Sequence, residues 1–277
     1  MEYSNPEIPE GINTTREHPL KEFLILSGGI LGLLLAVILL LLVVSEQLVR
    51  FIPIELEQEL ANKVITPSQD KSEQQLYLES LGAELSQYLA LPETLNIRIH
   101  YVDDDVQNAF ATPGGHIFIH RGLLEIMPHE NALSMVIAHE LAHHQHRHPL
   151  RAMGRGVIVG LFLSTISGIS GDRLLSSFIS STGLITALSF SRDQEREADR
   201  SALQAVQQHY GHVSGAADLF TQLMNRVETN DAKTPLFLST HPSGTNRIDT
   251  LERMAFENNW VMDAPTTDLV ELLTNPP

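Results

Sequence analysis

The stretch from residue 134 to residue 148 reads Ser-Met-Val-Ile-Ala-His-Glu-Leu-Ala-His-His-Gln-His-Arg-His. It holds five of the chain's 13 histidines and a single carboxylate, that of Glu140. Pro128 precedes the stretch and Pro149 follows it, and proline suits both ends of a helix. Apolar residues between the prolines recur with the spacing of one helix face, so we predict an amphipathic helix from Pro128 to Arg147.

Within this helix, His139, Glu140 and His143 form the pattern H-E-x-x-H. A spacing of four residues puts both imidazoles on one helix face, so they can bind the same metal ion. Glu140 lies about 100° further round the helix, where its carboxylate can take a proton from a water molecule beside the metal. Chance alone gives this short pattern in about one chain in twenty of this length and composition, so the motif needs support from elsewhere.

Two other histidine pairs do not make such a site. His144 and His148 have the same spacing, but Gln145 occupies the position of the carboxylate, so we predict an exposed helix end without assigned chemistry. His116 and His120 belong to a predicted strand, in which four residues would separate them by about 13 Å.

A catalytic zinc site normally has three protein ligands and keeps the fourth position for water. The chain contains no cysteine, so the third ligand must be another His, Asp or Glu. Ser191 and Gln194 fit a capping box, in which each side chain satisfies a free backbone N–H, and predict a helix from about Arg192 to Gln208. Gly211 is placed to end that helix.

On this second helix, Glu195 and Asp199 lie on one face, one turn apart. Glu195 could bind the metal while Asp199 accepts the N–H from the far nitrogen of a ligand histidine and thereby fixes its tautomer. The alternative is an ordinary charged helix face, and Glu197 competes with Glu195 for the role of ligand.

Four blocks of sequence resemble the HtpX-type membrane-associated zinc endopeptidases, a group that also includes the CAAX prenyl proteases and the mitochondrial Oma-type proteases. The blocks follow the expected order over roughly residues 76–254, which is far more specific than one motif. They are Asn108 to Leu124, His139 to His143, Ser191 to Asp199, and His241 to Ile248.

This resemblance implies one Zn²⁺ per chain, bound by His139, His143 and Glu195. It also implies that Glu140 is the general base and acid, and that Asp199 supports a ligand histidine. The same resemblance places His241 and Arg247 near the site. Either residue could stabilise the oxyanion of the reaction, or His241 could occupy the open metal position until a substrate displaces it.

The fold implied is α+β and mostly helical, a gluzincin-like metallopeptidase domain with a small sheet whose edge strand precedes the zinc helix. That edge would pair with the backbone of an extended substrate by strand addition. The residues assigned to it are Gly115, His116, Ile117, Phe118 and Ile119. The sequence itself predicts strands over residues 95–102 and on both sides of the turn at Pro113-Gly114-Gly115.

Residues 23–44 carry no charge over 22 positions, and about 20 suffice to cross a bilayer, so we predict a transmembrane anchor. A cleaved signal peptide is the alternative, but its apolar core is usually only about 7 to 15 residues long. HtpX itself has more spans, so a single-pass enzyme with an aqueous domain is expected here. The basic residues nearly tie, and the position of Lys21 favours a catalytic domain on the periplasmic side of a bacterial inner membrane.

The remaining chain divides around this anchor. We predict a flexible tail over residues 1–22, a connecting segment over 45–73, the metallopeptidase domain over 74–258 and a C-terminal tail over 259–277. Within the domain, the apolar region 157–190 is split by charged residues and predicts a buried helical hairpin, with contact with the membrane as the alternative.

The formal net charge of −16 argues against nucleic acid as a partner, because binding to phosphates needs clustered Lys and Arg. We therefore predict a membrane-anchored zinc endopeptidase acting on extended or misfolded protein or peptide segments. A holdase or assembly factor could use the same zinc-stabilised fold, although it would not need Glu140. A site-2-type intramembrane protease would place the motif in an apolar span, and an accidental metal-binding helix would not need Glu195.

Overall fold

The computed structural model describes residues 19–65, 72–167, 190–228, 236–241 and 247–274. The helices in these ranges are α1 (Pro19–Leu48), α2 (Ile54–Val64), α3 (Glu73–Ser86), α4 (Arg121–Leu124), α5 (Glu130–Gln145), α6 (His148–Ser167), α7 (Arg192–Tyr210), α8 (Asp218–Glu228), α9 (Leu236–Thr240), α10 (Arg247–Glu257) and α11 (Glu271–Thr274). The strands are β1 (Arg98–Val102), β2 (Ala109–Thr112) and β3 (His116–His120). The described chain is therefore α+β and mostly helical, as predicted.

The three strands form one sheet in the order β1-β3-β2. β1 is parallel to β3, and β2 pairs with β3 antiparallel across a turn in which Gly114 and Gly115 have φ of +87° and +91°. The predicted strand–turn–strand unit is confirmed. The prediction that Gly115 to Ile119 forms an edge is wrong, because β3 has a hydrogen-bonded neighbour on each side.

The edge formed by β1 is closed by a side chain from α3. Gln75 Nε2 donates to the carbonyl oxygen of Ile99 at 2.6 Å, and Gln75 Oε1 accepts from the backbone N–H of Tyr101 at 2.7 Å. This amide therefore replaces a neighbouring strand at that edge.

Helix α5 lies at the centre of the domain and packs against the sheet, α3 and α7. Its bounds agree with the predicted helix to within two residues. Every residue from Asn131 to His144 is buried, so the polar face that we expected to meet water is covered as well. The core consequently surrounds the chemical groups of the motif on all sides.

The prediction that His144 and His148 form an exposed helix end is wrong, since they are 3% and 0% exposed. Nε2 of His144 lies 3.3 Å from the carbonyl oxygen of His116, behind the sheet. The chain reverses at Arg147, which has a left-handed φ of 54°, and this turn brings His148 back beside His143.

The capping box at the start of α7 is present as predicted. Ser191 Oγ accepts from the backbone N–H of Gln194, whose side chain accepts from the backbone N–H of Ser191. The helix ends at Gly211, which takes the left-handed φ of 77°. These two local signals fix the helix that carries Glu195.

Described residues on both sides of the predicted domain, 74–258, also pack against it. In the connecting segment, Glu57 of α2 accepts from the backbone N–H of Gly114 at 2.9 Å and from Arg147 at 2.7 Å. At the other end, Leu273 is 2% exposed, and the backbone N–H of Thr267 donates to Asn131 Oδ1 of α5.

Helix α1 contains the predicted apolar segment and extends it at both ends. Within the described part of the chain, it belongs to the one helical stretch that is long and apolar enough to cross a membrane, Pro19–Phe51. Of the predicted hairpin over 157–190, residues 157–167 continue α6, residues 168–189 lie outside the described residues, and Phe190 is buried.

Candidate metal centre

Four buried side chains converge at the inner end of the H-E-x-x-H motif. His139 and His143 come from α5, Glu195 from the first turn of α7, and His241 from the residue after α9. One potential ligand atom from each lies within 4.8 Å of the others. Sequence reasoning predicted the first three as a set, and the family resemblance placed His241 near the site, with occupation of the open metal position as one of two roles.

The spacing of these atoms suits a tetrahedral ion. Nε2 of His139 is 3.0 Å from Nε2 of His143 and 3.3 Å from Oε2 of Glu195. Nδ1 of His241 lies 3.2 Å from His139 Nε2 and 3.2 Å from Glu195 Oε1. Ligands at about 2.0–2.1 Å from a tetrahedral zinc are separated by about 3.3 Å, so these four distances are close to those around such an ion.

A buried acid–base pair holds the far side of the His139 ring. Nδ1 of His139 lies 2.9 Å from Oδ1 of Asp199 and 3.0 Å from Nη2 of Arg247. Because a guanidinium only donates, Asp199 is the group that accepts the Nδ1–H. Arg247 in turn binds Asp199 and lies 3.9 Å above the Phe220 ring. This arrangement leaves Nε2 of His139 as the metal-binding nitrogen.

The second ligand histidine has a separate support that the sequence reasoning missed. Nδ1 of His143 lies 2.9 Å from Nδ1 of His148, and Nε2 of His148 lies 3.3 Å from Glu197 Oε2. The Phe190 ring stacks on His143 with centroids 3.9 Å apart. Only the left-handed turn before His148 brings it here, and its i, i+4 spacing from His144 gave no sign of that turn.

The surroundings of the cluster favour a positive charge on His139. Burial raises the pKa of Glu195, but the nearby His241 and His139 outweigh it and hold that pKa well below its usual range. Burial and Arg247 lower the pKa of His139, yet hydrogen bonds to Asp199 and Glu195 raise it to about 9. Burial keeps the pKa of His143 low. The positive charge that the two carboxylates stabilise can come from a proton or from a metal cation.

Glu140 lies beside the cluster without joining it. It is fully buried, and burial raises the pKa of its carboxyl group. Neither of its oxygens accepts a hydrogen bond from the residues that the structure describes. Nε2 of His241 approaches one of them to 3.4 Å. A buried carboxylate with unused acceptor sites can hold and transfer a proton.

The seven polar residues predicted for the site thus converge, and the predicted substrate strand does not. Those that meet are His139, Glu140, His143, Glu195, His241 and the Asp199–Arg247 pair. β3 lies in the middle of the sheet instead, where the carbonyl oxygen of His116 faces His144.

Comparison with known proteins agrees with this geometry. The sequence model of peptidase family M48 matches residues 72–255, which is more than half of the chain. The chain belongs to family M48. The matched region begins at the N-cap of α3 and ends within α10, so it includes all four residues of this M48 metal centre.

Similar M48 relatives come from mitochondria and from bacteria. The mitochondrial metalloendopeptidase OMA1 of Schizosaccharomyces pombe is 37% identical over 161 residues, which cover 57% of this chain and 46% of that protein. The beta-barrel assembly-enhancing protease of Yersinia pestis is 30% identical over 211 residues, which cover 71% of this chain and 41% of that protein. The chain thus aligns with less than half the length of either relative.

Proposed function

We propose that this chain is a zinc-dependent endopeptidase in which Glu140 is the general base. The observation that carries the proposal is the buried carboxylate of Glu140. It accepts no hydrogen bond from the described residues and lies beside four metal-ligating donors that are within 4.8 Å of one another. A site that held metal only for stability would not need this unsatisfied acid, which is costly to bury.

The donor set fits zinc in both chemistry and number. His139, His143 and Glu195 supply the nitrogen and oxygen ligands that catalytic zinc sites use, and both imidazoles are held through their far nitrogens. When bound, zinc polarises the scissile carbonyl and lowers the pKa of water towards about 7. The buried Asp199–Arg247 pair keeps the His139 ring in the tautomer that can bind.

Glu140 performs the proton transfers in this proposal. Its carboxylate accepts a proton from the attacking water and then donates it to the leaving amine. The raised pKa of this buried carboxyl group helps the first step, because a higher pKa makes the carboxylate a stronger base. Since Glu140 has no competing hydrogen bond within the described chain, its oxygens are available to the water.

The outer edge of β2 is the better candidate for aligning an extended substrate. The backbone N–H of His120 donates to the carbonyl oxygen of Asn108, so by antiparallel alternation the backbone groups of Ala109 and Ala111 point away from β3. The carbonyl oxygen of Ala109 lies 3.3 Å from Nε2 of His241, which places this edge beside the metal centre. A peptide added there would pass next to Glu140.

His241 occupies the corner that a catalytic zinc site leaves for water or substrate. We therefore favour its role as a gate, which a substrate must displace before cleavage, over a role as oxyanion donor. His241→Ala tests the two roles directly. Peptidase activity above wild type supports the gate, and a large loss of activity at unchanged zinc content contradicts it.

We further propose that α1 anchors the enzyme in a bacterial inner membrane, with the catalytic domain on the periplasmic side. The 22 uncharged residues, all exposed except the half-buried Ile38 and Leu42, support the anchor, and the position of Lys21 supports the orientation. The substrates would be extended or misfolded protein segments, which can lie along a strand edge where folded proteins cannot.

Casein cleavage by the purified full chain tests the reaction. Glu140→Gln should retain one zinc per chain and lose at least about 100-fold of the activity, as expected when a general base is removed. Glu252→Gln, on the exposed surface of α10, is the matched control and should cleave like wild type. Undiminished cleavage by Glu140→Gln would contradict the proposal.

A further inference from the structure

Helix α6 leaves the metal centre and runs back along α1. A Cβ placed on Gly154 would lie 4.0 Å from Cβ of Ser45, and Nη1 of Arg155 lies 3.1 Å from Oε1 of Glu46. Closer to the metal centre, Arg147 donates to the carbonyl oxygen of Val49 at 2.9 Å. Residue numbers rise along α6 while they fall along α1, so the two helices are antiparallel and α6 points towards the apolar segment.

The exposure of α1 shows how far this packing extends. Three residues of α1 are half-buried, Ile38, Leu42 and Ser45, and all its others are exposed. With Val49, which is 4% exposed, they fall at i, i+4, i+7 and i+11, which is one face of a helix. Ile38 lies six residues inside the uncharged segment 23–44, or about 9 Å at 1.5 Å per residue. The covered face of α1 therefore continues into the part that would be in the membrane.

The charged residues of α6 are confined to its first half. Arg151 and Arg155 lie in its first half, and no charged residue occurs from Gly156 to Ser167. Arginine near the end of an apolar segment suits the headgroup region, where its charge stays hydrated. The twelve uncharged residues span about 18 Å as a helix, which is more than half of a hydrocarbon core of about 30 Å.

We propose that the second half of α6 enters the bilayer beside α1, and that the lipid bilayer is its partner there. The inference rests on the anchoring by α1 proposed above. Antiparallel packing on an inserted helix leaves the residues beyond Gly156 at the depth of the α1 apolar segment. The half-buried side chains of Val157 and Ile158 then divide their surface between α1 and lipid.

This arrangement fixes the distance between the metal centre and the membrane. His148 supports the ligand His143 and is also the first residue of α6. Eight residues separate it from Gly156, or about 12 Å along the helix. An extended chain covers that distance in about four residues. The substrates favoured by this geometry are therefore protein segments that adjoin the bilayer surface.

The absence of cysteine from the chain makes a direct test simple. Single cysteines are introduced at Val157 and Ile158 on α6, at Leu40 on α1 as the anchor control, and at Glu252 on α10 as the aqueous control. Each full-length variant that still cleaves casein is labelled with a small fluorophore. It is then reconstituted in phosphatidylcholine–phosphatidylglycerol vesicles with or without brominated acyl chains.

Brominated lipid should reduce the fluorescence of the Leu40 label and, to a similar extent, that of at least one of the two α6 labels, and should leave the Glu252 label unchanged. Iodide, a quencher dissolved in the aqueous phase, is added in a parallel measurement. If brominated lipid quenches the Leu40 label but neither α6 label, whether or not iodide quenches those two, the anchor stands and this inference is overturned. If Leu40 and both α6 labels escape brominated lipid, the anchor proposal is overturned together with it.

Discussion

The buried support of His143 gives the sharpest prediction about metal affinity. His148 is fully buried, and its Nδ1 lies 2.9 Å from Nδ1 of His143. His148→Leu keeps an apolar volume in this space and removes the acceptor. Loss of such a supporting contact typically weakens metal binding about 10- to 100-fold, which corresponds to about 1.4 to 2.7 kcal/mol.

His148→Asn should restore most of that affinity. The Oδ1 atom of asparagine is bonded to Cγ just as Nδ1 of histidine is, so it can accept the same hydrogen from His143. His144→Leu is the matched control, because His144 is equally buried but contacts the carbonyl oxygen of His116 instead of a metal ligand. It should destabilise the fold and leave zinc affinity close to that of wild type.

The assay is competition for zinc between the purified variants and a chelator of known affinity. The predicted order of zinc affinity is wild type, then His148→Asn slightly weaker, then His148→Leu at least about tenfold weaker. The reasoning is refuted if the Leu and Asn variants bind zinc equally, or if His144→Leu weakens binding as much as His148→Leu does.

Three further predictions concern stability, each measured by urea unfolding of the zinc-loaded protein. Arg247→Leu removes the guanidinium that pairs with the buried Asp199 and should cost about 3–5 kcal/mol. A cost below that of an ordinary surface substitution would contradict the pairing. Gly115→Ala combines a φ of +91° with a Cβ only 2.3 Å from a backbone oxygen. It should therefore destabilise the fold clearly more than Gly211→Ala, which meets only the penalty of about 1 kcal/mol for a left-handed φ, and equal losses of stability would count against this turn. Burial lowers the pKa of His116 to about 4. As the pH falls, the unfolded chain therefore takes up a proton before the folded chain does, and the free energy of unfolding should drop between about pH 6.5 and 4. His116→Gln should lose less stability than wild type between pH 7 and pH 5, and equal losses would refute this assignment.

The parts of the site that the sequence predicted are those with local signals. The H-E-x-x-H spacing places His139 and His143 on one face of any helix, and the capping box fixes the start of the helix that presents Glu195. These helices needed only to pack together for the three ligands to meet. The family resemblance indicated that Glu195 of the second helix is the third ligand, which local spacing alone could not.

Features that depend on distant pairing were predicted wrongly, missed or, in the case of His241, predicted only through the family resemblance. The family resemblance implied that β3 is an edge strand, but β1, from earlier in the chain, pairs with its other side, and no local pattern encodes that strand order. His148 looked like a solvated helix end because a left-handed turn at Arg147 cannot be read from spacing. His241 reaches the fourth corner of the cluster only because α9 packs against the loop before β2, where the backbone N–H of Phe237 donates to the carbonyl oxygen of Gln107.

The central claim is that a carboxylate from α7 completes a zinc site on α5, and zinc stoichiometry tests it most directly. Glu195→Gln and Glu197→Gln make the same chemical change two residues apart on one helix. Glu195 is buried among the metal-ligating histidines, whereas the side chain of Glu197 is 51% exposed. After dialysis against a weak chelator, wild type and Glu197→Gln should each retain one zinc per chain and Glu195→Gln should retain far less. Full zinc occupancy in Glu195→Gln would contradict the account.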